Sequence, residues 1–169
     1  MSIETSNVKL AKTAKKVKRV LSVIYYGAPS DVAGRGINTC RFASAVCRAL
    51  CLNTAGNGSI TAVQLSRIAR TRLSRWAPVK FWSLFESDLE RFKRKAQREN
   101  KRLACRPNGT TDERSPELLR IIRLNPDSDF YDYSAVPDRL DSAVEFPNYF
   151  VTFSRKETAG NLTHCRQTR

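Results

Sequence analysis

Short hydrophobic blocks with two different periods alternate along the chain, and they predict strands and helices in turn. Residues 21–26 are rich in β-branched and aromatic side chains and stop at a Gly-Ala-Pro turn, which predicts a first strand. Comparable blocks predict three more strands, at 103–106, 130–133 and 149–153.

The clearest helical pattern begins at Pro78. Its apolar residues recur every three or four positions and form a single stripe, made of Phe81, Phe85, Leu89, Phe92 and Ala96. Weaker patterns predict helices at 42–52, at 116–123 and at 136–143. Another helix is predicted to begin at Ser59, as its N-cap, and to end at about residue 75.

Strands that alternate with helices indicate an α/β fold with a parallel sheet and right-handed crossovers. A complete eight-stranded barrel takes about 250 residues, and this chain has 169 with about four predicted strands. We therefore expect either a partial, half TIM-like barrel or an open parallel sheet with helices. The predicted organisation is a basic flexible tail at 1–19, a single α/β domain at 20–157 and a polar tail at 158–169.

Composition indicates a protein of the reducing cytoplasm. Hydrophobic residues make up 41% of the chain, yet no run of eighteen apolar residues exists, so no membrane contact is expected. The polar, lysine-rich N-terminus does not resemble a secretory signal. Five cysteines, three of them within twelve residues, fit metal binding or catalysis better than a disulfide framework.

The net charge of +14 is concentrated in the first two-thirds of the chain. Residues 1–111 hold 22 Lys and Arg against 6 Asp and Glu, whereas residues 112–145 are acidic. This distribution favours contact with a polyanion such as nucleic acid, and the alternative is a surface charged for solubility. The candidate nucleic-acid-binding residues are Lys12, Lys15, Lys16, Lys18, Arg19, Arg67, Arg70, Arg72 and Arg75.

Polar residues follow three of the predicted strands. In parallel α/β folds the carboxyl ends of the strands form the functional edge, so these residues are expected to meet there, with the cysteines above them. The alternative is that they are turn residues and helix caps. The candidates for binding a cofactor or substrate are Asn108, Asp112, Asp132, Ser154 and Arg155.

Cys40, Cys47 and Cys51 follow the spacing C-x6-C-x3-C. A helix would put Cys47 and Cys51 on one face, and Cys40 lies one loop earlier. Three converging thiolates suit zinc or an iron–sulfur cluster, with Cys105 or His164 available as a fourth ligand. The alternative is that the thiols are small buried hydrophobes. With one histidine, near the end of the chain, no catalytic residue can be assigned.

Several motifs, taken in their order along the chain, resemble those of the bacteriophage gene-product-88-like family. They are Cys40 to Gly58, the arginines Arg67, Arg70 and Arg72, and the segments 106–112, 130–133 and 149–155. The resemblance implies a phage or prophage origin and the host cytoplasm. Family members continue with further strands beyond Ser154-Arg155, so the chain is interpreted as a shortened member.

The family's three cysteines and polar strand ends look like a variant of radical S-adenosylmethionine enzymes. In those enzymes three cysteines hold a four-iron cluster and the fourth iron binds the cofactor; their usual spacing, C-x3-C-x2-C, differs from the one here. The leading interpretation is thus a phage metal or iron–sulfur protein with radical-type chemistry on an unknown small-molecule substrate. The alternatives are a basic nucleic-acid-binding protein with structural cysteines and a small phage effector that binds a host protein.

Overall fold

A computed structural model describes residues 19–156, which form an α/β fold. Four strands lie in one sheet: β1 (Val20–Ile24), β2 (Arg102–Arg106), β3 (Asp129–Ser134) and β4 (Tyr149–Phe153). The α-helices are α1 (Ala45–Ala49), α2 (Thr61–Trp76), α3 (Pro78–Arg98), α4 (Pro116–Leu124) and α5 (Pro137–Val144). Two 3-10 turns, Leu52–Thr54 and Gly56–Ser59, lie between α1 and α2.

The strand order in the sheet follows the order in the chain. β1 pairs with β2, β2 with β3 and β3 with β4, and all three pairings are parallel. Within the described residues β1 and β4 are the two edges and the sheet does not close. The expected open parallel sheet is therefore confirmed, and the carboxyl ends of all four strands lie along one edge.

The helices begin where the local sequence favours it. α3, α4 and α5 each carry a proline in the first turn, where the missing N–H costs no hydrogen bond. Ser115 also caps α4, because its hydroxyl accepts a hydrogen bond from the Leu118 backbone N–H.

The main core lies on one face of the sheet. The predicted stripe of α3 is buried, and Tyr25 contacts Phe81 and Phe85 edge to face, with ring centroids 5.5 and 6.0 Å apart. Val23, Cys105 and Phe130 supply the strand side of this core. Since side chains alternate along a strand, Arg106 and Tyr133 lie on the opposite face.

The expected helix at 42–52 is much shorter in the structure. Ser44 accepts a hydrogen bond from the Cys47 N–H and starts α1 there, and the helix ends at Ala49. Cys51 follows the helix and precedes a 3-10 turn, so Cys47 and Cys51 do not share one helix face. The N-cap of α2 is Ile60; Ser59 instead donates its hydroxyl to the Gly56 carbonyl.

No helix in the described part of the chain is long and apolar enough to span a membrane. Residues 1–18 and 157–169 lie outside the described residues, and with them Lys12, Lys15, Lys16, Lys18 and His164.

Candidate functional site at the carboxyl edge of the sheet

A cavity of about 550 Å³ lies over the carboxyl ends of the strands. Segments that follow all four strands line it, together with the loop and helix that carry Cys40, Cys47 and Cys51. We call it the cysteine cavity. The structure thus brings the three predicted cysteines to the same edge as the polar strand ends.

Cys40 lies at the inner side of this cavity. Its Sγ is 3.7 Å from the Thr110 carbonyl oxygen and 3.8 Å from the Thr39 hydroxyl. Burial raises the pKa of the Cys40 thiol, while hydrogen bonds from the Ser30 backbone and from Thr39 oppose the rise. Without a bound cation, Cys40 is therefore mainly a neutral thiol.

Cys47 has a cationic neighbour. Lys156 Nζ, which follows β4, lies 3.4 Å from Cys47 Sγ and 3.1 Å from the Ser154 hydroxyl. The contact links the cysteine segment to the end of β4.

The three cysteines are not arranged as a ready metal site. Between residues 19 and 156, no group of three or more His, Cys, Asp or Glu side chains is placed to hold a metal ion. Cys105 is fully buried in the core, and burial raises the pKa of its thiol far above the usual range. Cys105 is thus unsuited to be the fourth ligand, which corrects that expectation.

Arg106 and Tyr133 line the cavity and were not among the residues predicted to bind a ligand. The Arg106 guanidinium lies 4.8 Å from the centre of the Tyr133 ring, and its buried Nε has no hydrogen-bond partner among residues 19–156. The sequence signal that could have identified Arg106 and Tyr133 is their position at the ends of two predicted strands. Ser154 and Arg155, which were predicted, also line the cavity.

Asn108 and Asp132 do meet, as expected, but outside the lining of the cysteine cavity. The Asn108 backbone and side-chain amides both donate to the Asp132 carboxylate, at 3.0 and 2.9 Å. Both residues are buried, and neither lines the cysteine cavity. In the structure they are hydrogen-bonded to each other, and a role for them in binding a ligand stays a prediction.

Arg139 completes this buried group, which we call the ion network. Its guanidinium donates to Asp132, Asp112 and the Tyr149 hydroxyl. Burial raises the pKa of the Asp132 carboxyl, and the Arg139 guanidinium and Asn108 donors oppose that rise. Asp112 also accepts hydrogen bonds from the Ser134 hydroxyl and the Ala135 N–H, at 2.7 and 2.8 Å.

The loop after β2 connects the ion network to the cysteine segment. Gly109 N–H donates to the Tyr25 carbonyl, and the Thr110 hydroxyl donates to the Gly27 carbonyl. Asp112 N–H donates to the Thr39 carbonyl, at 2.9 Å. Of the predicted residues, Asp112 belongs to both regions, because it also lines the cavity.

The arginines of α2 hold the long segment between β1 and α2. Arg67 is buried, lies over the Tyr26 ring and donates to the Asn53 side chain. Arg70 donates to the Tyr26 carbonyl and Arg72 to the Ala33 carbonyl. Arg75 pairs with Glu113. Nucleic-acid binding by these residues and by the exposed Arg19 stays a prediction.

Comparisons with known proteins agree with the motifs. Neither the comparison with curated proteins nor that with solved structures gives a match. The family model described as Gene product 88 matches residues 1–169, and the chain therefore belongs to this family of phage gene products.

Proposed function

We propose that this phage protein binds an iron–sulfur cluster through Cys40, Cys47 and Cys51, and that the cysteine cavity also receives a small anionic molecule. The observation that carries the proposal is that all three thiols line one cavity at the carboxyl edge of a parallel sheet. This edge is where α/β proteins place their ligands. The same ligands could hold zinc, which the experiment below distinguishes.

The chemistry of the ligand set supports a cluster. Thiolates are the ligands that iron–sulfur clusters and other soft metal centres prefer. Three protein thiolates leave one coordination position open for a small molecule. S-adenosylmethionine is the cofactor that the family resemblance implies for that position.

The cysteine segment is built so that it can close around a metal. Helix α1 buries no residue, and Phe42, Val46, Leu50 and Leu52 are each more than half exposed. A segment with little buried surface moves at small energetic cost. Metal binding often supplies the free energy that orders such a segment. The separate thiols seen here fit a site that forms on loading.

The charge of the cavity supports an anionic second ligand. Arg106 and Arg155 make no ion pair with a residue between 19 and 156, and Lys156 adds a third cation. The acidic neighbours are already engaged, Asp31 with Arg48 and Asp112 with Arg139. The excess positive charge favours a carboxylate or phosphate group on the second ligand.

Anaerobic reconstitution of the full chain with ferrous iron and sulfide, and separately with zinc, tests the proposal. Wild-type protein should retain stoichiometric metal after desalting, and visible absorption with bound sulfide would identify the cluster. Cys40→Ala, Cys47→Ala and Cys51→Ala should each lose most of the metal. Cys105→Ala is the matched control and should retain it. Folded wild-type protein without iron or zinc, or equal loss in the control, would refute the proposal.

A further inference from the structure

A second cavity, of about 410 Å³, lies beside the cysteine cavity and is rich in arginine. Arg35, Arg41, Arg75 and Arg114 line it, with Asn38 and Thr39. We call it the arginine cavity. The four arginines come from three separate segments: two from the loop after β1, one from the end of α2 and one from the loop after β2. The fold brings these arginines together, since they do not form a continuous run of basic residues in the sequence.

The positive charge of the arginine cavity is only partly neutralised. Its two acidic residues already have partners, because Glu113 pairs with Arg75 and Asp112 with Arg139. Arg35, Arg41 and Arg114 form no ion pair within the described residues. Three guanidinium groups around one concavity repel each other, so the cavity favours an anion.

The backbone fixes one of the three arginines in an unusual conformation. Gly34, Arg35 and Gly36 all have positive φ, at 66°, 57° and 73°. Residues other than glycine rarely adopt positive φ. Hydrogen bonds from Gly34 N–H to the Asp31 carbonyl and from Ile37 N–H to the Gly34 carbonyl hold the turn. Arg35 thereby lies over the Trp76 ring, 5.0 Å from its centre.

Arginine sets of this kind suit phosphate. The planar guanidinium presents paired N–H donors that match two phosphate oxygens, and it stays charged at every physiological pH. The cavity is large enough for more than one phosphate group. Several arginines at one site match the charge of adjacent phosphates better than that of a single carboxylate.

We propose that the arginine cavity binds adjacent phosphate groups, with Arg35, Arg41 and Arg114 as the principal ligands. Two sources carry this chemistry: a free di- or triphosphate and the backbone of a single-stranded nucleic acid. The proposal does not depend on metal binding by the cysteines. Apart from Arg75, these arginines were absent from the residues that the sequence indicated for nucleic-acid contact.

The test measures the binding of inorganic pyrophosphate and of a twelve-nucleotide oligothymidylate to the full chain at low salt. Because Arg35 contacts Trp76, tryptophan fluorescence should change when a phosphate compound binds. Calorimetry would measure the same affinity independently. The double variant Arg41→Gln/Arg114→Gln should bind at least tenfold more weakly. Arg94→Gln/Arg98→Gln removes the same charge from exposed positions on α3 and should change the affinity less than twofold.

The two probes distinguish the sources. Tighter binding of pyrophosphate supports the cavity as a site for a free phosphate compound. Tighter binding of the oligonucleotide, with a salt dependence that becomes shallower in the Arg41/Arg114 variant, supports the nucleic-acid backbone. Absence of binding for both probes, or an equal loss in the two double variants, would overturn the proposal.

Discussion

Two groups of polar residues lie at the same edge of the sheet and differ in how fully they are satisfied. In the ion network, Arg139 and Asp132 are almost completely buried and each has several hydrogen-bond partners. In the cysteine cavity the thiols are partly exposed, and the buried Nε of Arg106 has no hydrogen-bond partner in the described part of the chain. Both groups fit the expectation of polar residues at strand ends, but the residues of the cysteine cavity are more exposed than Arg139 and Asp132.

The difference follows from the cost of burying charge. An ion that leaves water loses several kcal/mol of solvation, which only close partners offset. A buried carboxylate whose partners are all supplied by the protein has little capacity left for a ligand. Groups that are half-buried and incompletely paired retain that capacity. The two groups therefore differ in how completely their polar atoms are paired and buried, although both lie at the same edge of the sheet.

The largest effect is expected when the ion network is broken. Arg139→Met keeps much of the side-chain volume but leaves Asp132 buried without its cation, which should lower the free energy of unfolding by about 3–5 kcal/mol. Arg155→Met, at the exposed side of the same edge, should change it by less than about 0.5 kcal/mol. Urea denaturation of both variants measures the contrast. Similar stabilities would mean that the two regions do not differ as described.

A smaller loss is expected where the loop after β2 approaches β1. A Cβ atom at Gly109 would lie 2.7 Å from the Tyr25 carbonyl oxygen and 2.6 Å from Ile24 Cγ2. Gly109→Ala should therefore destabilise the protein by about 1–3 kcal/mol. Gly56→Asn is the control, because no atom of the described residues lies within 4 Å of a Cβ placed there and asparagine tolerates the positive φ. A thermal shift as large in the control would contradict the close packing of this loop.

The thiol of the core should give the protein an alkaline dependence of stability. Because burial raises the pKa of Cys105 in the folded state, the unfolded chain loses this proton first as the pH rises. Its stabilising contribution is complete below the pKa of the unfolded thiol. That contribution should fall by about 1.4 kcal/mol between pH 8 and 10. Urea denaturation under reducing conditions should show a shallower decline for Cys105→Ala, whereas an unchanged slope would contradict the buried state of this thiol.

The elements that local patterns specify were predictable from the sequence. The stripe of α3 and the four strands depend on periodicity and residue type over short windows, and they agree with the structure to within two residues at each strand end. The predicted range of α1 was too long, because the apolar residues from 42 to 52 have helical spacing but do not pack against the core. The cap at Ser44 fixes its start instead.

The candidate site was predictable only in part, because the role of each residue depends on contacts with residues that are distant in the sequence. Asn108 and Asp132 lie at strand ends, as the sequence indicated, but the cation that pairs with Asp132 is Arg139 on a later helix. No local pattern identifies that partner. The arginine cavity likewise brings Arg35 and Arg41 of the loop after β1 together with Arg114 of the loop after β2.

The central claim, that Cys40, Cys47 and Cys51 act as one ligand set, is tested most directly by mapping thiol alkylation by mass spectrometry. The full chain would be labelled with iodoacetamide under anaerobic conditions, with and without prior loading of iron and sulfide. The metal-free protein should be labelled at all three cysteines, and loading should protect all three together. Cys105 should stay unlabelled in both states until the chain unfolds. Loading that protects only one or two of the three, or none of them, would contradict the claim.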